Sequence, residues 1–184
     1  MGHPPRSLLL VLVVMMAITA AIDARASDTD SPIPFPHIRG TDPQLRGLID
    51  DAVETSATVR ELLKRIEASD VVVFVACEPD VSVRVSGRLN FVAAAGGFRY
   101  VVIRLKPTRR SAAIAMLAHE LQHAAEIAAA PSIVDEASMT RAYERIGYKS
   151  WSVHGGLAFE TQAAVDTGRR VVGELAVTKT AAAD

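Results

Sequence analysis

A chain of 184 residues with 20 basic and 21 acidic side chains carries a net charge of −1 at pH 7. That balance excludes the basic surface by which a nucleic-acid binder tracks phosphates. Hydrophobic residues make up 49% of the chain, enough at this length for one domain with a buried core. Cys77 is the single cysteine, so no internal disulfide can form and stability rests on packing, with or without a metal. Following an apolar strand, Cys77 is expected to be buried.

Arg6 is followed by an almost unbroken apolar run from Ser7 to Ile22 and by Ala24-Arg25-Ala26, the small-x-small pattern that signal peptidase reads. The run is shorter than the roughly 20 residues of a membrane span. Residues 1–26 therefore read as a signal peptide cleaved near Ala26, in preference to an uncleaved anchor. No lipobox cysteine follows, and no later stretch is apolar enough to span a bilayer. The mature protein is expected to be periplasmic or extracellular, with no membrane association. Residues 27–41 form an extended, proline-rich arm (Ser31 to Pro36), and residues 42–177 form a single domain.

Within that domain Asp42-Pro43 is a helix start, with Leu45, Leu48, Ile49, Ala52 and Val53 at helical spacing. A break at Thr55-Ser56 opens a second helix with Val59, Leu62, Leu63 and Ile66 on its inner face. Val71–Ala76 is continuously apolar, the pattern of a strand covered on both faces. Arg88–Ala95 and Phe98–Lys106 form a hairpin turned at Gly96-Gly97, which Pro107 stops. Ser111–Ala128 is an Ala- and Leu-rich helix, and Pro131-Ser132 breaks the chain. Helices follow over Ile133–Ile146 and Leu157–Val177, separated by a loop containing Gly155-Gly156, and residues 178–184 form a frayed tail. The order gives an α+β fold: a small, mostly antiparallel sheet (strand 71–76, hairpin 88–106) packed with helix 111–128 and further helices. Arg109-Arg110 and Arg169-Arg170 read as solvated helix-end charges, and Trp151 as a core anchor.

The chemistry centres on His119-Glu120-Leu121-Gln122-His123. Two histidines four residues apart stand one turn apart on one helical face, so both imidazoles can reach one ion. Glu120, offset by about 100° on a 3.6-residue helix, reaches water on that ion and not the ion itself. Zinc lowers the pKa of such water toward about 7, and a carboxylate there takes the proton.

A catalytic zinc site needs a third protein ligand. Glu126 shares the histidine stripe but lies roughly 10 Å along the axis from His119 at about 1.5 Å per residue; it is expected to support the ligands or face solvent. Three acids remain on the later helices: Glu136, Glu144 and Glu160. The first two accompany Asp135, Arg141 and Arg145 on a charged face. Glu160 stands among small and apolar residues, where a lone acid is costly unless paired or metal-bound, and it is preferred, with Glu144 and Glu136 as alternatives. His37 and His154, both in loops, have no spacing to recommend them as ligands.

His119-Glu120-x-x-His123 with a glutamate downstream resembles the glutamate-type zincin metallopeptidases, the gluzincins. Phe159-Glu160, followed by small residues and Asp166, is similar to the third-ligand helix of their CAAX-prenyl-protease-like branch. The chain is also similar to small exported bacterial proteins. The resemblance runs from the hairpin through the last helix and implies a compact zincin-like domain with Zn2+ held by His119, His123 and Glu160. It implies a peptide or protein substrate whose extended backbone pairs with the hairpin strand, and Glu120 as general base. It also implies a Tyr or His that stabilises the oxyanion, for which Tyr148 and His154, and also Tyr143, are candidates. The expected function is an exported zinc metallopeptidase. The alternatives are a non-enzymatic exported zinc-binding domain, or a zinc hydrolase acting on cell-wall peptides or amides.

Overall fold

Asp42 accepts a hydrogen bond from the Leu45 N–H, and Pro43 takes the first helical position, so helix α1 (Pro43–Thr55) begins at the capping pair. Ser56 serves two helices. Its N–H donates to the Ala52 carbonyl at the end of α1, while its Oγ accepts from the Val59 N–H at the start of α2 (Ala57–Glu67). The inward stripes are Leu45, Leu48, Ile49 and Ala52 on α1, and Val59, Leu62, Leu63 and Ile66 on α2. The computed structural model describes residues 35–78, 86–151 and 157–181. Residues 1–26, expected as a signal peptide, the expected arm as far as residue 34, His154 and residues 182–184 lie outside the described residues, as does the Trp151 side chain.

Four strands form the main sheet in the order β1-β2-β4-β3: β1 (Ile38–Gly40), β2 (Val71–Cys77), β3 (Gly87–Ala95) and β4 (Phe98–Leu105). β1 pairs parallel with β2, and β2 parallel with β4; β3 and β4 are antiparallel. The sheet is therefore mixed, which corrects the expectation of a mostly antiparallel one. The physical reason is the placement of β2: it inserts between β1 and β4, parallel to both, so that its backbone groups are paired on each edge, and only the local β3–β4 hairpin is antiparallel. β1 itself, expected as part of an extended arm, pairs with β2 as that second neighbour. At the hairpin turn Gly96 and Gly97 have φ of 60° and 82°, values that side-chain-bearing residues rarely adopt. Val71, Val73 and Val75 are fully buried, whereas Phe74 and Ala76 on the other face are only half-buried. Cys77, the strand's last residue, is exposed and not buried as expected, because it stands at the rim of the sheet.

Helix α3 (Arg110–Ala128) crosses the sheet, burying Ile114, Leu117, Leu121 and Ile127. Helix α4 (Glu136–Ile146) starts three residues later than expected, where Asp135 and Ser138 form a capping box. Leu157–Glu160 is not the first turn of the last helix but strand β6, paired antiparallel with β5 (Tyr148–Trp151). A four-residue apolar stretch is equally compatible with strand and helix. Here Thr161 Oγ1 accepts from the Ala164 N–H, a capping contact that starts α5 (Gln162–Ala181) only after Thr161. Residues 178–181, expected as frayed tail, belong to this helix. No helix among the described residues is long and apolar enough to cross a membrane.

Two polar locks hold α3 and α5 in place. Arg99 on β4 is 3% exposed. Its Nε and Nη2 donate to Asp70 at 2.8 and 2.5 Å, and its Nη1 donates to the carbonyls of Ile127, Ala130 and Ile133 at 2.8, 2.8 and 3.1 Å. A cation is thus fixed at the carbonyl end of the α3 dipole, and its bond holds the Asp70 carboxyl below the usual range. Arg99→Leu would leave three carbonyls without this donor; the expected loss is about 3 kcal/mol in denaturant unfolding. A loss below about 1 kcal/mol would contradict the lock.

Glu174 on α5 ties that helix to α2, accepting from Ser56 Oγ at 2.5 Å and Thr58 Oγ1 at 2.6 Å. Burial raises its pKa, but the bonds from Ser56 and Thr58 outweigh it and the net shift is downward. A depressed folded-state pKa means the stabilisation is complete above the unfolded value of about 4.3, and is lost as pH falls through the folded value. Glu174→Gln should cost about 1–2 kcal/mol at pH 7, with the gap closing in acid unfolding series below about pH 4.

Candidate metal centre

The long helix α3 presents His119 and His123 one turn apart, with ring centroids 5.1 Å apart and planes at 77°. The β5–β6 hairpin brings Glu160 against both. His119 Nε2 lies 3.1 Å from Glu160 Oε2, and His123 Nε2 lies 3.3 Å from Glu160 Oε1. One ligand atom from each of the three residues falls within 4.8 Å of the others. Two ligands on tetrahedral zinc, at bonds of about 2.0–2.1 Å, are separated by roughly 3.3 Å. The donor set and its spacing therefore fit a divalent ion, with Nε2 of both histidines turned to one point.

The electrostatics are those of a proton-sharing cluster. Burial would raise the Glu160 pKa, but its bonds to His119 and His123 bring it down to about 2. Burial lowers His123, yet bonds to Glu126 and Glu160 push it up to about 9. A cation between these groups substitutes for the proton shared by imidazole and carboxylate, so metal binding would release it. Glu120 is 4% exposed, and its burial raises it to about 7 although His123 and His119 pull the other way. A carboxylate titrating near neutrality suits proton transfer at that pH.

Supporting groups surround the cluster. Glu126 Oε2 lies 3.0 Å from His123 Nδ1, so of the two places expected for Glu126, beside a histidine or in solvent, it takes the first. Burial raises its pKa, but the His123 bond outweighs that and keeps it low. As an ionised acceptor it takes the proton on His123 Nδ1, so that an ion replacing the Nε2 proton would meet the Nε2 lone pair. Tyr143 is buried, packs edge-on against His123 with centroids 5.5 Å apart, and donates to the His123 carbonyl at 3.1 Å. That burial suits a packing role better than contact with substrate.

Of the expected site residues, His119, His123 and Glu160 come together, with Glu120 beside them. Glu136 and Glu144 are exposed on α4. His37 lies against Phe98, centroids 5.7 Å apart, at the hairpin-turn end of the sheet. Tyr148 is half-exposed and stands directly opposite Glu160 in the β5–β6 register, which puts both side chains on one face of the hairpin.

Two residues went unrecognised in the sequence. Gly87 opens β3 directly over Glu120: a Cβ there would lie 2.9 Å from Glu120 Oε1 and 2.7 Å from Met116 Cγ. Thr161 donates to Glu126 and caps α5; a threonine just before a run of helix formers was the available signal. Compared with family models, with curated proteins and with solved structures, the chain matches none.

Proposed function

We propose that this chain is an exported zinc metallopeptidase of the gluzincin kind. The observation that carries the reading is the meeting of His119 Nε2, His123 Nε2 and Glu160 at ligand spacing, with Glu120 buried beside them beneath an edge strand. His119, His123 and Glu160 would hold the ion. When bound, zinc supplies a Lewis acid that acidifies water and polarises a carbonyl. Glu120 takes the proton from the attacking water and returns it to the leaving amine. Tyr148, facing the same side as Glu160, offers its hydroxyl to the oxygen that gains charge.

The peptide assignment draws support from β3. Lys106 N–H donates to the Ser86 carbonyl, so the pairs Gly87↔Leu105, Leu89↔Ile103 and Phe91↔Val101 are the non-hydrogen-bonded ones. Gly87, Leu89 and Phe91 therefore turn their N–H and C=O groups away from β4, toward an edge that no described strand occupies. An extended peptide adding to that edge meets Glu120 at the Gly87 end.

Incubating the zinc-loaded protein with a peptide library tests the reading. Cleavage should stop with chelator, return with zinc, and fall in Tyr148→Phe by roughly 10²- to 10³-fold. A zinc-loaded protein that cleaves no peptide would remove the peptidase assignment and favour a non-enzymatic zinc domain.

A further inference from the structure

We infer that Thr161 is a positioning residue, whose hydroxyl orients His123 through Glu126 and so tunes the metal centre. The inference rests on the metal reading of that site, but the chain of contacts is itself independent of any ion. Thr161 is 3% exposed. Its Oγ1 donates to Glu126 Oε1 at 2.8 Å and accepts from the Ala164 N–H at 3.2 Å, while its own N–H donates to Glu160 Oε1 at 2.8 Å. Glu126 passes the constraint on, its other oxygen meeting His123 Nδ1 at 3.0 Å. Glu160 Oε1 then faces His123 Nε2 at 3.3 Å. The contacts close a ring: Thr161, Glu126, His123, Glu160 and back to Thr161.

Each member of the ring constrains the next. A hydroxyl that accepts from a helix N–H has its proton directed elsewhere, here onto Glu126. With Oε1 so engaged, Oε2 of Glu126 is left for the imidazole, fixing ring orientation and tautomer together. Gln122 Nε2 also approaches Glu126 Oε1, at 3.4 Å, a longer contact than the threonine's. The ring joins the histidine helix α3 to the glutamate strand β6, so one buried hydroxyl couples the two elements that supply ligands. A residue that only capped α5 would have no reason to touch Glu126.

The test compares Thr161→Val, which keeps shape and removes the hydroxyl, with Thr161→Ser, which restores it, and with Glu126→Gln. Zinc dissociation constants come from competition with a chromophoric chelator. Thr161→Val and Glu126→Gln should each weaken zinc by roughly 10- to 100-fold, Thr161→Ser should stay near wild type, and the double variant should be no weaker than the worse single. In the metal-free proteins, the His123 Nδ1 proton resonance should be present in wild type and Thr161→Ser and lost in Thr161→Val. Additive losses in the double variant, or an unchanged resonance in Thr161→Val, overturn the inference. If wild type binds no zinc, the metal reading fails by itself, and the resonance still decides for or against Thr161 as the residue orienting His123.

Discussion

Glu120→Gln is expected to retain the metal and to lower kcat/KM on any cleaved peptide by roughly 10²- to 10⁴-fold, the contribution of a general base. The side chain is buried beneath Gly87, and its burial pushes its pKa up to about 7. A carboxyl whose folded-state pKa exceeds its unfolded one destabilises the folded state once pH rises above the unfolded value of about 4.3. The metal-free Gln variant should therefore gain stability relative to wild type as pH rises from about 5 to 8. Lost activity with retained metal and unimpaired folding identifies a base. Lost metal together with lost activity would instead make Glu120 a ligand or a structural element.

The second large effect concerns Glu160. Glu160→Gln removes the charge that faces both imidazoles at 3.1 and 3.3 Å and is expected to weaken zinc by more than about 100-fold, beyond what a residue merely supporting a ligand contributes. Glu136→Gln and Glu144→Gln alter exposed carboxylates on α4 and should leave zinc affinity within about twofold of wild type. Isothermal titration of the three variants separates these outcomes. Retained affinity in Glu160→Gln, with loss in either of the others, would reassign the third ligand.

The two histidines were legible because helical geometry alone places residues 119 and 123 on one face, whatever surrounds them. Glu160 was legible for another reason: a carboxylate among apolar neighbours needs a partner. Its setting was not. A four-residue segment bears no period that separates strand from helix, and the β5–β6 pairing that decides the matter is non-local. The mixed sheet was hidden in the same way. β2 lies beside β4 and not beside β3, its neighbour in sequence, and the unbroken apolar run of Val71–Ala76 speaks of the strand's two faces, not of which strands pair with its edges. Thr161, Gly87 and Arg99 act through contacts with residues 28 or more positions away, and no local pattern announces such contacts.

The most direct measurement is elemental analysis of the purified protein beside His119→Ala, after removal of loosely bound metal. Close to one zinc per chain in wild type, and none in the variant, is the predicted result. Wild type that folds with His119, His123 and Glu160 intact, yet retains no zinc and takes up none on titration, would contradict the assignment of a metal centre to these residues.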